Sequence, residues 1–303
     1  MTRAFFLFLS RQRTMRGWFE TSPTANRLTR RFVAGYTLDD EISVCRRLQA
    51  EKIAATMDRL GENVNSLDEA ATSRDAYLGI LDRIQDTGPP ATVSVKLTQL
   101  GLDFSIEACC ENVRQLVRRA ADIGTRVEID MESSAYVDRT LDIVRRLHTE
   151  SACVRVAVQS YLFRTRADVE RLCATGIPVR LVKGAYDEPH AIAFASKAEV
   201  DRSFADLTKL LLDRGADPAI ATHDERLIRL TVEYAKQRGI APGCFEFQML
   251  YGIRRDLQQS LVAQGYRMRL YVPFGDAWYP YFMRRLAERP ANVFFLARNM
   301  LRR

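Results

Sequence analysis

Short apolar runs rich in β-branched residues alternate along most of the chain with longer stretches of helical periodicity. The first run, Ile53–Met57, is followed by Ser66-Leu-Asp-Glu69, a capping box that opens a helix continuing through Ile84. The same unit recurs: Thr92–Lys96 precedes a helix around Val113 to Ala121, Arg126–Asp130 precedes Val137 to Leu147, and Val154–Val158 precedes Val169 to Ala174. Pro178–Lys183, Ala219–Thr222, Phe245–Gln248 and Met268–Val272 complete eight strand-like runs, each followed by a helix-like segment. Eight strands alternating with helices predict an α/β chain folded as a (β/α)8 TIM-type barrel, with an open doubly wound sheet as the alternative. Ahead of this pattern, residues 1–50 read as helical, with a cap-like Thr37-Leu-Asp-Asp and a stripe of Ile42, Cys45 and Leu48. The chain therefore divides into an N-terminal helical arm, 1–50, and a barrel, 51–303.

Polar residues interrupt the pattern at one recurring place. Lys96, Asp130, Gln159, Lys183, Thr222, Gln248 and Tyr271 all stand at or near the carboxyl ends of the second to eighth strands. A packed core calls for apolar strands followed by ordinary turn residues, so one or two such polar groups would mean little. Seven on one rim point to a site, because parallel barrels keep their chemistry there. Just beyond the last strand, helical spacing sets Tyr281, Arg284, Arg285 and Glu288 on one face and Phe282, Met283 and Leu286 on the other. Taken alone that face is an ordinary solvated one with an Arg284–Glu288 pair. At a barrel mouth, two adjacent guanidinium forks suit a carboxylate substrate.

Composition narrows the chemistry. The chain has 303 residues and a net charge of +7, spread without a long basic tract or interleaved aromatic array, so nothing points to nucleic acid. Attraction to anionic membrane or to an acidic substrate is equally consistent with that surplus. The six cysteines show no C-x-x-C spacing and lie in apolar runs, as buried thiols of a reducing compartment do. Ala4–Leu9 is too short for a secretion signal or a membrane span. A cytoplasmic protein is expected, with peripheral contact at the inner face of the membrane. His148, His190 and His223 have no metal-ligand spacing, and no metal is expected. Neither a G-x-G-x-x-G turn nor a P-loop occurs. Lys183 leaves three readings open: a Schiff-base nucleophile, a cation beside a backbone that Gly184 lets a flat ligand or phosphate approach, or a structural salt bridge.

Together these segments resemble the proline dehydrogenases, in the short monofunctional bacterial form, from about Asp58 to Asn299. The resemblance rests on Leu60-Gly-Glu62, Ser94-Val-Lys-Leu-Thr98, Ile129-Asp-Met-Glu132, Val158-Gln-Ser-Tyr-Leu162, Arg180-Leu-Val-Lys-Gly-Ala-Tyr186, Ala221-Thr-His223, Phe245-Glu-Phe-Gln-Met-Leu250, Tyr271-Val-Pro-Phe-Gly275 and Tyr281-Phe-Met-Arg-Arg-Leu-Ala-Glu288. It implies a distorted (β/α)8 barrel that holds FAD, oxidises L-proline to 1-pyrroline-5-carboxylate by hydride transfer to flavin N5, and passes electrons to a quinone. A pyrroline-5-carboxylate dehydrogenase would consume the product downstream. The resemblance further implies that Arg284, Arg285 and Lys96 bind the proline carboxylate with Glu288 holding these charges in place. Tyr271 and Tyr281 would pack on the pyrrolidine ring, Asp130 would orient groups at the site's base, and Glu62 would pair with Arg284 as a gate. Arg180 is placed near the flavin N5, and Met131, Gln159, Val182, Lys183, Gly184, Thr222, His223 and Gln248 along the rest of the cofactor. Asp224 departs from the asparagine often found there and adds an anion near the adenosine end. Asp187-Glu-Pro189 departs from the tryptophan-containing form of the large bifunctional enzymes. Two other classes stay in view: an aldolase-like barrel using Lys183, and a basic binding module without catalysis.

Overall fold

The computed structural model describes residues 29–61 and 64–287, with side chains described as far as residue 283. The predicted alternation is present throughout. Helix α1 (Leu38–Ala50) precedes β1 (Ala54–Arg59), α2 (Leu67–Thr87), β2 (Ala91–Val95), α3 (Ile106–Asp122), β3 (Val127–Ile129), α4 (Val137–Glu150) and β4 (Val154–Gln159). Then follow α5 (Thr165–Ala174), β5 (Val179–Val182), α6 (Lys197–Arg214), β6 (Ala219–Ala221), α7 (Glu225–Gln237), β7 (Glu246–Leu250), α8 (Arg255–Ala263), β8 (Arg267–Phe274) and α9 (Trp278–Ala287). The strands are parallel in sequence order. β1 also pairs with β8, from Ala54 opposite Arg269 to Arg59 opposite Phe274, which closes the barrel and excludes the open sheet.

Each strand turns one face to the helices and the other to the barrel lumen. Val93, Val95, Ile129, Val156, Leu181, Ile220, Phe247, Leu270 and Val272 belong to the large apolar core. The lumen is different, because side chains on strands that are not neighbours reach one another through it. Arg155 of β4 donates to Glu246 of β7, Arg180 of β5 donates to Ser94 of β2, and Tyr271 of β8 donates to Asp130 beyond β3. Among the described residues, Lys96, Arg155, Arg180 and Arg269 meet Asp58, Glu128, Asp130 and Glu246 there, so the charges cancel one for one. Buried ions are tolerated when paired and hydrogen-bonded in this way. At the amino end of the barrel, Asp217, in the left-handed region at φ 43°, receives Arg126, Arg155 and Arg267 at 2.6–2.7 Å and closes the floor.

The last helix lies at the mouth of the barrel. Trp278, Tyr279, Tyr281, Phe282 and Met283 of α9 pack with Leu60, Ile253, Phe32 and Val33, so α9 sits on segments that follow β1 and β7, over the carboxyl end of the barrel. The outside of β1 and β8 is covered instead by α1, whose Ile42, Val44, Cys45 and Leu48 join the main core. A Thr37–Asp40 capping box starts that helix.

One expectation fails in part. Cys45, Cys109 and Cys110 are buried, but Cys153 and Cys173 are only half-buried and Cys244 is exposed. Cys244 lies in a short 3-10 turn between α7 and β7, where the apolar run that follows it, not the turn itself, enters the core.

Candidate active site

Asp130 is the centre of the rim. Tyr271 Oη donates to its Oδ2 at 2.8 Å and Lys96 Nζ to the same oxygen at 3.2 Å. Ser94 Oγ donates to Oδ1 at 2.8 Å, and Arg180 Nη2 makes a closer contact with that oxygen. Burial works to raise the Asp130 carboxyl, but Lys96 and Arg180 outweigh it and pull the pKa down to about 2. It is therefore a fixed carboxylate at neutral pH. Burial likewise works against the Lys96 charge, yet Asp58 at 3.7 Å, Tyr271 and Asp130 hold the ammonium well above its ordinary value. Tyr271 is kept as a neutral phenol, raised by burial and by Asp130 and Asp58. The Arg180 guanidinium lies 5.5 Å from the centre of the Tyr271 ring, within cation–π range. Strands β5 and β8 and the segments just past β2 and β3 thus fix one ammonium, one guanidinium and one phenol around one carboxylate.

The remaining rim residues divide into two groups. Gln159 reaches across to the Glu132 carbonyl at 2.9 Å, and Glu132 in turn accepts from the Thr98 backbone and hydroxyl. Met131 is buried beside them and Val182 is half-buried at the end of β5. Gln248, two residues short of the end of β7, is turned down into the lumen, donating to Glu246 at 2.7 Å. Around β5 and β6, Thr222 Oγ1 accepts from the Asp224 backbone, and His223 Nε2 accepts from the Leu250 backbone at 2.9 Å. That bond needs an unprotonated Nε2 and ties β6 to β7.

Lys183 Nζ lies 2.6 Å from Asp201 and 3.1 Å from Asp224, so the salt bridge is the reading that the geometry carries. A Schiff-base nucleophile requires a desolvated amine without such partners. Gly184 is also explained within the protein. Its φ is 115°, and a Cβ there would lie 2.1 Å from the ring of Tyr161, so that ring takes the space expected for a flat ligand.

Tyr281 is buried in the α9 cluster. Arg284 and Arg285 lie in α9 at the carboxyl end, with side chains outside the described residues, as are Glu62 and Glu288. Three members of the constellation escaped the sequence reading. Asp58 and Ser94 follow the alternation of their strands inward, Ser94 within the run Thr92–Lys96 and Asp58 one residue past Ile53–Met57. Asp201 lies in the second turn of α6, where its sequence context looks like any solvated position.

Among the described residues no group of His, Cys, Asp and Glu could hold a metal ion, and no helix is long and apolar enough to cross a membrane. Arg180 Nε is buried without a hydrogen-bond partner among them. That leaves a donor for an acceptor seated on the rim, and a flavin ring offers acceptors of that kind.

Comparison with known proteins places this geometry in context. The sequence profile of a family described as proline dehydrogenase matches residues 42–298. Over 307 residues the chain is 38% identical to proline dehydrogenase 2 of Bacillus subtilis (strain 168), covering 100% of both proteins. It is 38% identical to the proline dehydrogenase of Deinococcus radiodurans, covering 91% of this chain and 90% of that one. Among solved structures it resembles proline utilization A of Bdellovibrio bacteriovorus inactivated by N-propargylglycine, with a TM-score of 0.81 and 27% identity over 87% of this chain. It spans only 33% of that much longer protein.

Proposed function

The chain belongs to the proline dehydrogenase family, enzymes that oxidise proline in the first step of proline catabolism, and from that premise we propose how its barrel mouth does so. Substrate lies over Asp130, Lys96 and Tyr271, under α9. The observation that carries this reading is the charge balance of the lumen. Lys96 is already flanked by two carboxylates, so it has little charge to spare for the carboxylate of L-proline. The counter-charge then has to come from above, from Arg284 and Arg285, with Glu288 balancing that pair and Glu62 closing on Arg284 to exclude water. Lys96 and Tyr271 shape the floor and Tyr281 the wall. Asp130, an anion at every working pH, orients these groups and is a poor acceptor for the proton of the proline amine.

The cofactor in this proposal is FAD, which supplies the hydride acceptor for conversion of L-proline to 1-pyrroline-5-carboxylate. Arg180, with its spare Nε, would stand by the ring. Met131, Gln159, Val182, Thr222, His223 and Gln248 would shape its bed, and Lys183 beside Gly184 would meet a phosphate. A quinone takes the electrons, a pyrroline-5-carboxylate dehydrogenase takes the product, and the net charge of +7 favours peripheral contact with an anionic membrane surface. Protein purified from cells should be yellow and release free FAD on denaturation, leaving a colourless polypeptide. A colourless preparation that added FAD does not restore would favour a lyase or binding module and defeat the proposal.

A further inference from the structure

Lys183 stands just past β5, and its two carboxylate partners differ in kind. Asp201, on α6, has a side chain only 5% exposed and also receives Lys197 at 2.5 Å and Arg226 at 2.8 Å. Its charge is met whether or not Lys183 stays. Asp224 is more open, at 23%, and caps α7 by accepting the Arg226 backbone N–H on Oδ1 at 3.1 Å. Its other oxygen faces Lys183 at 3.1 Å and Lys197 at 3.6 Å. Burial works to raise its carboxyl, but Lys183 holds it below the ordinary value, so it is ionised at neutral pH.

We infer that Asp224 is a built-in competitor for the Lys183 ammonium, which a phosphorylated flavin has to displace, so that this one carboxylate limits the chain's affinity for its cofactor. This deepens the flavin reading above and rests on it. The physical argument has two parts with the same sign. An anion arriving at Lys183 must give up an existing ion pair, and it also meets the repulsion of the carboxylate it displaces. Lys197 and Arg226 keep the Asp201 charge met, and Lys197, at 3.6 Å, stands farther from Asp224 than Lys183 does at 3.1 Å, so Lys183 remains the nearer partner of that carboxylate.

The test is Asp224→Asn in the full chain, freed of bound flavin and titrated with FAD and with riboflavin, following flavin fluorescence. Asparagine keeps the Oδ1 acceptor and is as good an N-cap as aspartate, so α7 keeps its start while the charge goes. The variant should bind FAD about fivefold more tightly or better, the scale of one partly screened ion pair. Riboflavin, which has no phosphate, should bind both proteins alike, and the gain for FAD should shrink as salt is raised. An unchanged or weaker affinity for FAD, or an equal gain for riboflavin, would overturn the inference while leaving the flavin reading standing. Absence of flavin binding by either protein would overturn both.

Discussion

Asp130→Asn is expected to destabilise the protein by about 3 kcal/mol at neutral pH and to lower kcat/KM for L-proline by about a hundredfold. The carboxylate accepts from Ser94, Lys96, Arg180 and Tyr271 at once, and it balances two of the buried cations. Asparagine retains one acceptor oxygen but no charge, so the lumen is left with an uncompensated cation. Activity falls because Lys96, Tyr271 and Arg180 all take their positions from this group, and misplacement of about 1 Å is enough for such a loss. The pH dependence has a definite sign. The Asp130 pKa drops from 3.8 to about 2 on folding, so its contribution is full above 3.8 and is lost as pH falls toward about 2. Urea unfolding should therefore show the full gap between wild type and variant at pH 5 and above and a closing gap below pH ~4. Equal stabilities at pH 7 would show that the carboxylate does not hold the lumen together.

Arg284→Met and Arg285→Met should each raise the KM for L-proline roughly ten- to a hundredfold while leaving the ratio of flavin to protein near that of wild type. Each change removes one charge-assisted contact to a carboxylate, worth about 1.5 to 3 kcal/mol. The lumen cannot make up the loss, because its cations are matched by its own anions. Flavin content is the control, since the residues proposed to hold it come from β3 to β7 and the segments just past them, not from α9. A wild-type KM in both variants would place the proline carboxylate elsewhere.

The barrel was legible because the helix-facing side of each strand is apolar and β-branched, which marks eight strands whatever the other face holds. That other face was the harder part. Parallel strands covered by helices usually read as continuous apolar runs, so Thr92-Val-Ser-Val-Lys96 and Arg126-Val-Glu-Ile-Asp130 already announce a polar lumen by alternating. What alternation cannot give is pairing. That Arg155 meets Glu246, or Tyr271 meets Asp130, depends on the curvature of a closed sheet and on separations of 91 and 141 residues. Gly184 was legible as a special position but not its cause, since its neighbour in space is Tyr161. The seat of α1 on β1 and β8 was hidden for a related reason: it depends on α9 being drawn over the mouth, leaving that side to the arm.

If the rim couples proline to a bound flavin, as proposed, the visible spectrum of the purified protein under anaerobic L-proline will report it. The flavin band should bleach on addition of L-proline and return when a quinone is admitted, with 1-pyrroline-5-carboxylate formed in proportion. A flavin band that L-proline leaves unchanged, in folded protein whose flavin dithionite can reduce, would show that proline is not the electron donor to this flavin.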